Sequence, residues 1–330
     1  AGPDADFFLL GGDSLLAVNL TLRIGETFGR DPGLGALFEH PKVAALAALL
    51  DAGPALPDDG LSPVVRLAAG GDGAPLFLVH PAGGIAWGYR ELARLIGAQR
   101  PVYGLQSPAL DPAAPLPDDL AALAAAYVET AAKIAPQGPI HLAGWSVGGI
   151  IAQEMAVQFA RKGRAVGLTA LFDSYPADCW RNEPEPDERA ALGALLAIAG
   201  HDPADHPELR DEAQVVAFLR AQGSALGRLP HAAIAGVVRA VKGTNRLVRG
   251  HFHTRYDGRL VHVAAAADHA GTALAPELWA PYAAALDVVR VPFLHKDMVS
   301  AQASAAIARI LQPRLAAIDR AAAKGRDPCS

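Results

Sequence analysis

The stretch IHLAGWSVGGIIAQEMAVQF, residues 140–159, joins three local signals. Ile140-His141-Leu142-Ala143 is a short, mostly apolar run of strand length. Gly144-Trp145-Ser146-Val147-Gly148 then sets one serine between two glycines, and Ile151, Met155 and Phe159 follow at four-residue spacing, as on one face of a helix. The order is therefore strand, sharp turn, helix. Glycines suit such a turn because it is strained and leaves no room for Cβ atoms beside the helix. A helix start also directs amide donors and a positive dipole end at whatever the serine would attack. With 33 Gly and nine Ser in the chain, chance supplies roughly 0.1 such matches. The spacing alone is suggestive, and its setting gives it weight against an incidental serine in a Gly-rich turn.

Outward from this stretch, strands alternate with helices. Pro75–Val79, Pro101–Leu105, Pro139–Ala143, Leu168–Phe172, Leu260–Ala264 and Val288–Val291 read as strands. Asp118–Ala135, Gly149–Lys162 and Pro276–Leu286 read as helices between them. The alternation predicts a mostly parallel sheet wrapped by helices, of the α/β class. Residues 180–250 break the rhythm with about three helical segments and no strand signal, as an inserted helical subdomain would.

A serine nucleophile needs a base and an acid. Asp173 ends the strand after the serine's helix, and Asp268 ends the next one, so both compete for the acid. Most of the eleven histidines read as ordinary. His141 and His262 lie inside strands as satisfied or partly exposed neighbours, and His201, His206 and His231 fall in the helical insertion. His251 and His253 flank its exit, where alternation would expose them. His295 follows the last strand on a loop before a terminal helix, from where it can reach Ser146. His269, in Asp268-His269-Ala270-Gly271, is the other candidate.

Ser146, together with His80-Pro81-Ala82-Gly83-Gly84 and Leu171-Phe172-Asp173-Ser174-Tyr175-Pro176, resembles the type I thioesterases that end nonribosomal peptide and polyketide assembly lines. The resemblance covers about residues 62–312. It implies an α/β-hydrolase fold with the chain order Ser…Asp…His. It favours Asp173, whose Leu171–Ser174 setting matches the family's acid motif, and it favours His295 as base. It further implies an oxyanion hole made by the backbone N–H of Val147 and one from the His80–Gly84 loop, that of Ala82. The insertion near 180–250 resembles the lid of these enzymes. Members release a carrier-bound acyl group by hydrolysis or cyclisation.

Residues 6–16, DFFLLGGDSLL, resemble the signature of peptidyl and acyl carrier domains. That resemblance implies 4′-phosphopantetheine on Ser14, added by a phosphopantetheinyl transferase, with the peptidyl or acyl thioester as substrate. A serine at a helix N-terminus suits the role, since a phosphodiester there lies beside unpaired amides; a plain capping serine is the alternative. Asp13 and Ser14 can cap a helix whose Leu16, Leu20, Ile24 and Phe28 form one apolar stripe. Leu34–Phe38 and Val43–Leu50 read as further helices. Carriers of this kind have another helix before the motif, so residues 1–52 are expected to be a partial carrier whose first helix is missing. Gly53–Pro63 is rich in Pro, Gly and Asp, and residues 53–65 read as a linker. Residues 66–325 then form the thioesterase. The wording Gly-Gly-Asp-Ser leans towards a peptide line, with a polyketide or hybrid line as the alternative and a catalytically silent, carrier-docking hydrolase fold as a third reading.

Composition agrees with a globular chain, with 51% hydrophobic and 19% charged residues. A net charge of −5 gives no electrostatic footprint for nucleic acid or an anionic membrane. No apolar run approaches bilayer length. The two cysteines, Cys179 and Cys329, are far apart without metal-ligand spacing, which points to a reducing cytoplasm and to no metal. The start AGPDADFF has neither a secretory signal nor an initiator Met, so a fragment of a longer synthetase is expected, with upstream domains as partners in the same polypeptide.

Overall fold

Short apolar runs bounded by proline or glycine become the central strands. The computed structural model describes residues 2–324 apart from 13, 30–31, 33–35, 38–39, 53–60, 223, 225 and 229–230. Asp13, most of Leu34–Phe38 and most of the expected linker lie outside the described residues. In chain order the first elements are helices α1 (Ser14–Phe28) and α2 (Val43–Asp51), strands β1 (Val64–Ala68) and β2 (Leu76–Val79), helix α3 (Arg90–Ile96) and strand β3 (Val102–Leu105). There follow α4 (Leu120–Ile134), β4 (Ile140–Trp145), α5 (Val147–Arg161) and β5 (Val166–Phe172). Helices α6 (Glu188–Ile198), α7 (Glu212–Ala221) and α8 (His231–Gly250) come next, then β6 (Tyr256–Ala265), β7 (Ala283–Val291) and α9 (Ala301–Lys324).

The strands form one seven-stranded sheet in the order β1-β3-β2-β4-β5-β6-β7. Every neighbouring pair is parallel except β1 with β3. Leu76, Phe77, Leu78 and Val79 are wholly buried, as expected for a strand covered on both faces. On one face Leu123, Tyr127, Ile151, Met155 and Phe159 of α4 and α5 pack together. On the other, Leu92 and Ile96 of α3 meet Ile307, Leu311 and Leu315 of α9. Because the strands run parallel, the residues that follow them gather at one edge. From β2 the chain winds outward to β3, and from β4 it winds the other way to β7, so the β2/β4 boundary is where a crevice opens at that edge.

Helices α6 and α7 cover that edge through Leu192, Leu195, Val215 and Leu219, which join Ile85 and Trp87 in a common apolar cluster. Asp187 and Asp211 cap them, accepting from the amides of Ala190 (2.7 Å) and Gln214 (2.8 Å).

Four expectations change. Pro276–Leu286 is not an α-helix: Pro276–Tyr282 is a 3-10 stretch and β7 begins at Ala283. Pro281 has no amide for a helical bond, and Ala283, Ala285 and Leu286 instead pair with Tyr256, Arg259 and Leu260. The apolar stripe of α1 does not lie on one face, since Ile24 is buried but Leu16 and Phe28 are exposed. A four-residue repeat drifts by about 40° per step on a helix of 3.6 residues per turn, so the ends of the stripe diverge and Ala17 and Thr21 complete the buried face. His251 is buried against Glu154, and His253 hydrogen-bonds Gln153 (2.8 Å), because both pack on α5. His141 and His262 are wholly buried.

Candidate active site

The turn from β4 into α5 is as tight as its glycines imply. A Cβ on Gly144 would lie 2.2 Å from the carbonyl of Gly148, and one on Gly148 would lie 2.3 Å from the carbonyl oxygen of Val79. Neither backbone atom can move aside cheaply. Ser146 sits at the apex with φ 56° and ψ −129°, a conformation that costs a non-glycine residue about 1–3 kcal/mol. It is held there by its amide, which donates to the Phe172 carbonyl (3.0 Å), and by its carbonyl, which accepts from Gly149 (3.1 Å). The Val147 amide that follows is the first of α5 and has no intrahelical acceptor.

Asp173 lies one residue beyond β5, also at positive φ (42°), with its amide on the Val263 carbonyl (2.8 Å). Its carboxylate is wholly enclosed and accepts four hydrogen bonds. Oδ1 accepts from the Tyr175 hydroxyl (3.0 Å) and the Ala265 amide (3.0 Å). Oδ2 takes His295 Nδ1 (2.6 Å) and His269 Nε2 (2.7 Å). Burial pushes this carboxyl up, but the bonds from His295, His269 and Ala265 outweigh it and hold the group well below the usual carboxylate range. Asp173 is therefore ionised and can only accept, so both imidazole nitrogens facing it carry hydrogens. The other nitrogen of His295 is left as an acceptor when the ring is neutral.

Both sequence candidates for the acid are thus present, in different roles. Asp268 accepts from the backbone amides of His295 (2.9 Å) and His269 (3.0 Å), whereas Asp173 reaches the two rings. Trp145, the residue before Ser146, packs its ring 5.3 Å from that of His295. The sequence reading of Ser146, Asp173 and His295 therefore falls on one edge of the sheet. Tyr175 and the sharing of Asp173 by two histidines were not anticipated; the tyrosine two residues after Asp173 and the histidine beside Asp268 were the available signals.

His80 follows β2, wholly buried and hydrogen-bonded to the Pro81 carbonyl (2.6 Å) and the Tyr127 hydroxyl (2.8 Å). Burial lowers it to about 4, so it stays neutral and shapes the loop. Gly84 N–H closes that loop on the Pro81 carbonyl (3.0 Å), and among the described residues the Ala82 amide has no backbone acceptor. Beside it lies a cavity of about 300 Å³ lined mainly by apolar groups, among them Trp87, Trp145, Ile198 and Leu226, with Lys296 at its rim.

Asp173, His269 and His295 are, among the described residues, a group whose ligand atoms all lie within 4.8 Å. Two ligands around a tetrahedral zinc stand about 3.3 Å apart, yet both histidine nitrogens are 2.6–2.7 Å from the same oxygen. The three side chains form a hydrogen-bonded set at these distances.

The profile of the thioesterase domain matches residues 74–315, and that of the phosphopantetheine attachment site matches residues 1–50. The chain belongs to the thioesterase domain family. Ahead of the thioesterase lies a segment of the kind that carries covalent 4′-phosphopantetheine. A dimodular nonribosomal peptide synthase of Bacillus subtilis is 34% identical over 97% of this chain, and enterobactin synthase component F of Escherichia coli is 31% identical over 90%. The chain spans 14% and 22% of the length of those two proteins. Among solved structures, a four-domain nonribosomal peptide synthetase in its holo form aligns with 95% of this chain and 24% of its own, at 25% identity and TM-score 0.69. The NocB thioesterase domain, captured as a covalent complex with a fluorophosphonate nocardicin G analogue, aligns over 77% of this chain and 100% of its own (25% identity, TM-score 0.57).

The residues before Ser14 suit a phosphopantetheine attachment. Gly11 takes a left-handed φ of 94°, and a Cβ on Gly12 would lie 2.4 Å from the Phe7 ring and 2.6 Å from its carbonyl oxygen. The chain is folded tightly there and then opens α1 at Ser14. The first amides of that helix have no intrahelical partner, which favours an anion at this end.

Proposed function

We propose that this chain performs the terminal release step of nonribosomal peptide biosynthesis, with residues 1–52 as carrier, 53–65 as linker and 66–325 as thioesterase, its lid at about 180–250. When attached to Ser14 by a phosphopantetheinyl transferase, 4′-phosphopantetheine supplies the thiol that holds the acyl group and the reach to deliver it. Ser146 is the nucleophile, His295 the base and Asp173 the acid that orients it. His295 takes the Ser146 proton as Oγ attacks the thioester carbonyl; the C–S bond then breaks and the thiol leaves with that proton. Water, or an amine or hydroxyl of the peptide itself, next gives a proton to His295 and attacks the ester, and Ser146 recovers its hydrogen. The amides of Val147 and Ala82 stabilise the oxyanion in both halves.

The observation that carries this reading is the 2.6 Å bond from His295 Nδ1 to the ionised Asp173, made beside the strained Ser146 turn. That bond fixes the tautomer in which the remaining nitrogen can accept a proton. Delivery by the carrier is supported by its packing. The Phe8 ring lies 3.4 Å from the Arg90 guanidinium, and a cavity of about 730 Å³ opens between the Asp6–Gly12 loop and β1–α3. It shares Trp87, Gly88 and Val299 with the cavity beside Trp145, so the two adjoin. The names of the relatives favour a peptide line over a polyketide one.

The test is a fluorophosphonate probe with mass detection. The parent should gain one label and Ser146→Ala none, with turnover abolished and the fold unchanged in circular dichroism. Equal labelling of both would remove Ser146 from the role.

A further inference from the structure

Two imidazoles converge on one oxygen, and the proposed chemistry uses only one of them. His295 Nδ1 and His269 Nε2 lie 2.6 and 2.7 Å from Asp173 Oδ2. We propose that His269 is a positioning residue for the thioesterase, holding the Asp173 carboxylate in the orientation that aims the His295 ring; the inference rests on the assignment of Asp173 and His295 above.

The carboxylate turns about a broad torsion with little barrier of its own. Its orientation is set by its donors, and there are four: Tyr175 and the Ala265 amide on Oδ1, His295 and His269 on Oδ2. An ionised carboxylate offers about four lone-pair sites, so the set is filled. Three of the donors are anchored independently of the reaction. His295 alone changes charge in each cycle, as its other nitrogen gains and loses a proton while Nδ1 keeps its bond to Oδ2. His269 is the second donor that fixes where that oxygen lies.

The position of His269 fits that task and is maintained at some cost. Its backbone lies in the left-handed region at φ 63°, which L-residues rarely adopt. Its amide donates to Asp268 Oδ1 (3.0 Å), and its carbonyl accepts from Thr272 N (3.0 Å) and Oγ1 (2.8 Å). The Tyr175 ring stands edge-on to the imidazole at 5.1 Å. Asp268 ties the two histidines together, since its other oxygen accepts from the His295 amide (2.9 Å). The loop after β6 and the loop after β7 are thereby locked to one carboxylate. Of the other titratable groups near Asp173, His262 is turned to the Ser174 amide (3.3 Å) and does not reach the carboxylate.

Loss of a hydrogen bond to a charged group is worth about 10- to 100-fold in a rate that depends on it. On a small soluble acyl thioester, His269→Leu should lower kcat about 10- to 100-fold with KM within about twofold. His269→Gln should recover most of the loss, because the glutamine amide nitrogen can donate from nearly the place of Nε2. On an Asp173→Asn background, His269→Leu should change kcat by less than about twofold, since it acts through that carboxylate. A melt of each variant guards against loss of fold. Full activity in His269→Leu, no rescue by Gln in a variant that melts like the parent, or an additive double mutant overturns the proposal. An Asp173→Asn variant as active as the parent would sink the underlying assignment instead.

Discussion

Two walls meet at the cavity beside Trp145, the sheet edge through Pro81 and Trp145 and the helical insertion through Ala197, Ile198 and Leu226, and they are built on different terms. The sheet wall is backbone-determined. Ser146 and Asp173 both occupy positive-φ positions, and each is tied across to a neighbouring strand, at Phe172 and Val263. The glycines there touch backbone, so the geometry has no slack. The lid wall is side-chain-determined. Helices α6 and α7 rest on Leu192, Leu195, Val215 and Leu219, and the lid meets the His80–Gly84 loop through a side chain: Ile198 Cδ1 fills the space that a Cβ on Gly83 would take, 2.1 Å away. Close packing with backbone fixes a catalytic geometry to fractions of an ångström. Helices seated by apolar side chains can shift as units and admit different acyl groups. Under the proposed function, one wall holds the chemistry and the other the choice of substrate.

The sharpest way to break this division is at its most rigid point. Asp173→Asn keeps the shape but offers His295 an amide in place of a carboxylate, favouring the wrong tautomer; kcat should fall about 10⁴-fold. Asp268→Asn, which touches only backbone amides of the two histidines, should cost far less. Steady-state kinetics on a soluble thioester decide it, and the reverse ranking would move the acid to Asp268.

A second contrast concerns stability. Leu78 in β2 and Leu195 in α6 are both wholly buried, and truncating either to alanine removes comparable apolar volume. Leu78→Ala should lower the global unfolding free energy by about 2–5 kcal/mol. Leu195→Ala should fall mainly on local opening of α6 and α7, visible as faster amide exchange there with a smaller shift in the urea midpoint. Equal midpoint shifts would mean that the lid and sheet unfold as one unit.

Acid should act on the sheet. His80, His141 and His262 are lowered by burial to about 4, and His253 to about 3. In the unfolded chain each takes up a proton near pH 6.5, while in the folded chain it does not until much lower pH. Between those values the unfolded state binds more protons, so stability drops as pH falls, by about 1.4 kcal/mol per pH unit for each histidine that contributes. Urea midpoints at pH 7.0 and 5.5 test this; an unchanged midpoint would show that these rings are solvated.

Legibility from the sequence followed the same division. Strands β2 to β4 were readable because Pro75, Pro101 and Pro139 mark their starts, and their apolar runs are too short for helices. Strand β1 was overlooked: Val64–Ala68 is an edge strand with a mixed burial pattern and an arginine in its middle. Ala283–Leu286 looked helical from its alanines, and only pairing with β6 overrides that preference. At the site, the Gly-x-Ser-x-Gly spacing and the strand ends brought Ser146, Asp173 and His295 into view. The His269 contact was not legible, since it depends on a positive-φ turn that brings the ring to Asp173. Nor was the cavity, whose walls come from the turn at Trp87–Tyr89, the end of α6 and the loops at the sheet edge.

The smallest expected effect lies where the two walls touch through charge. Lys296, next to His295, reaches Asp202 on the lid side, Nζ to Oδ2 3.4 Å apart, and both side chains are about half exposed. Exposed pairs of this kind contribute about 0.2–1 kcal/mol, because water screens the charges and two long side chains lose freedom to hold them. If the pair only seats the lid, Asp202→Asn should leave kcat unchanged and alter KM for a peptidyl thioester by no more than about fivefold, an effect that shrinks further at 0.5 M salt. Lys296→Met should match it in size, and the double variant should be no worse than either single one. A kcat effect of tenfold or more from Lys296→Met alone, absent in Asp202→Asn, would mean that the ammonium at the cavity rim meets the substrate directly, and that the sheet wall takes part in substrate choice after all.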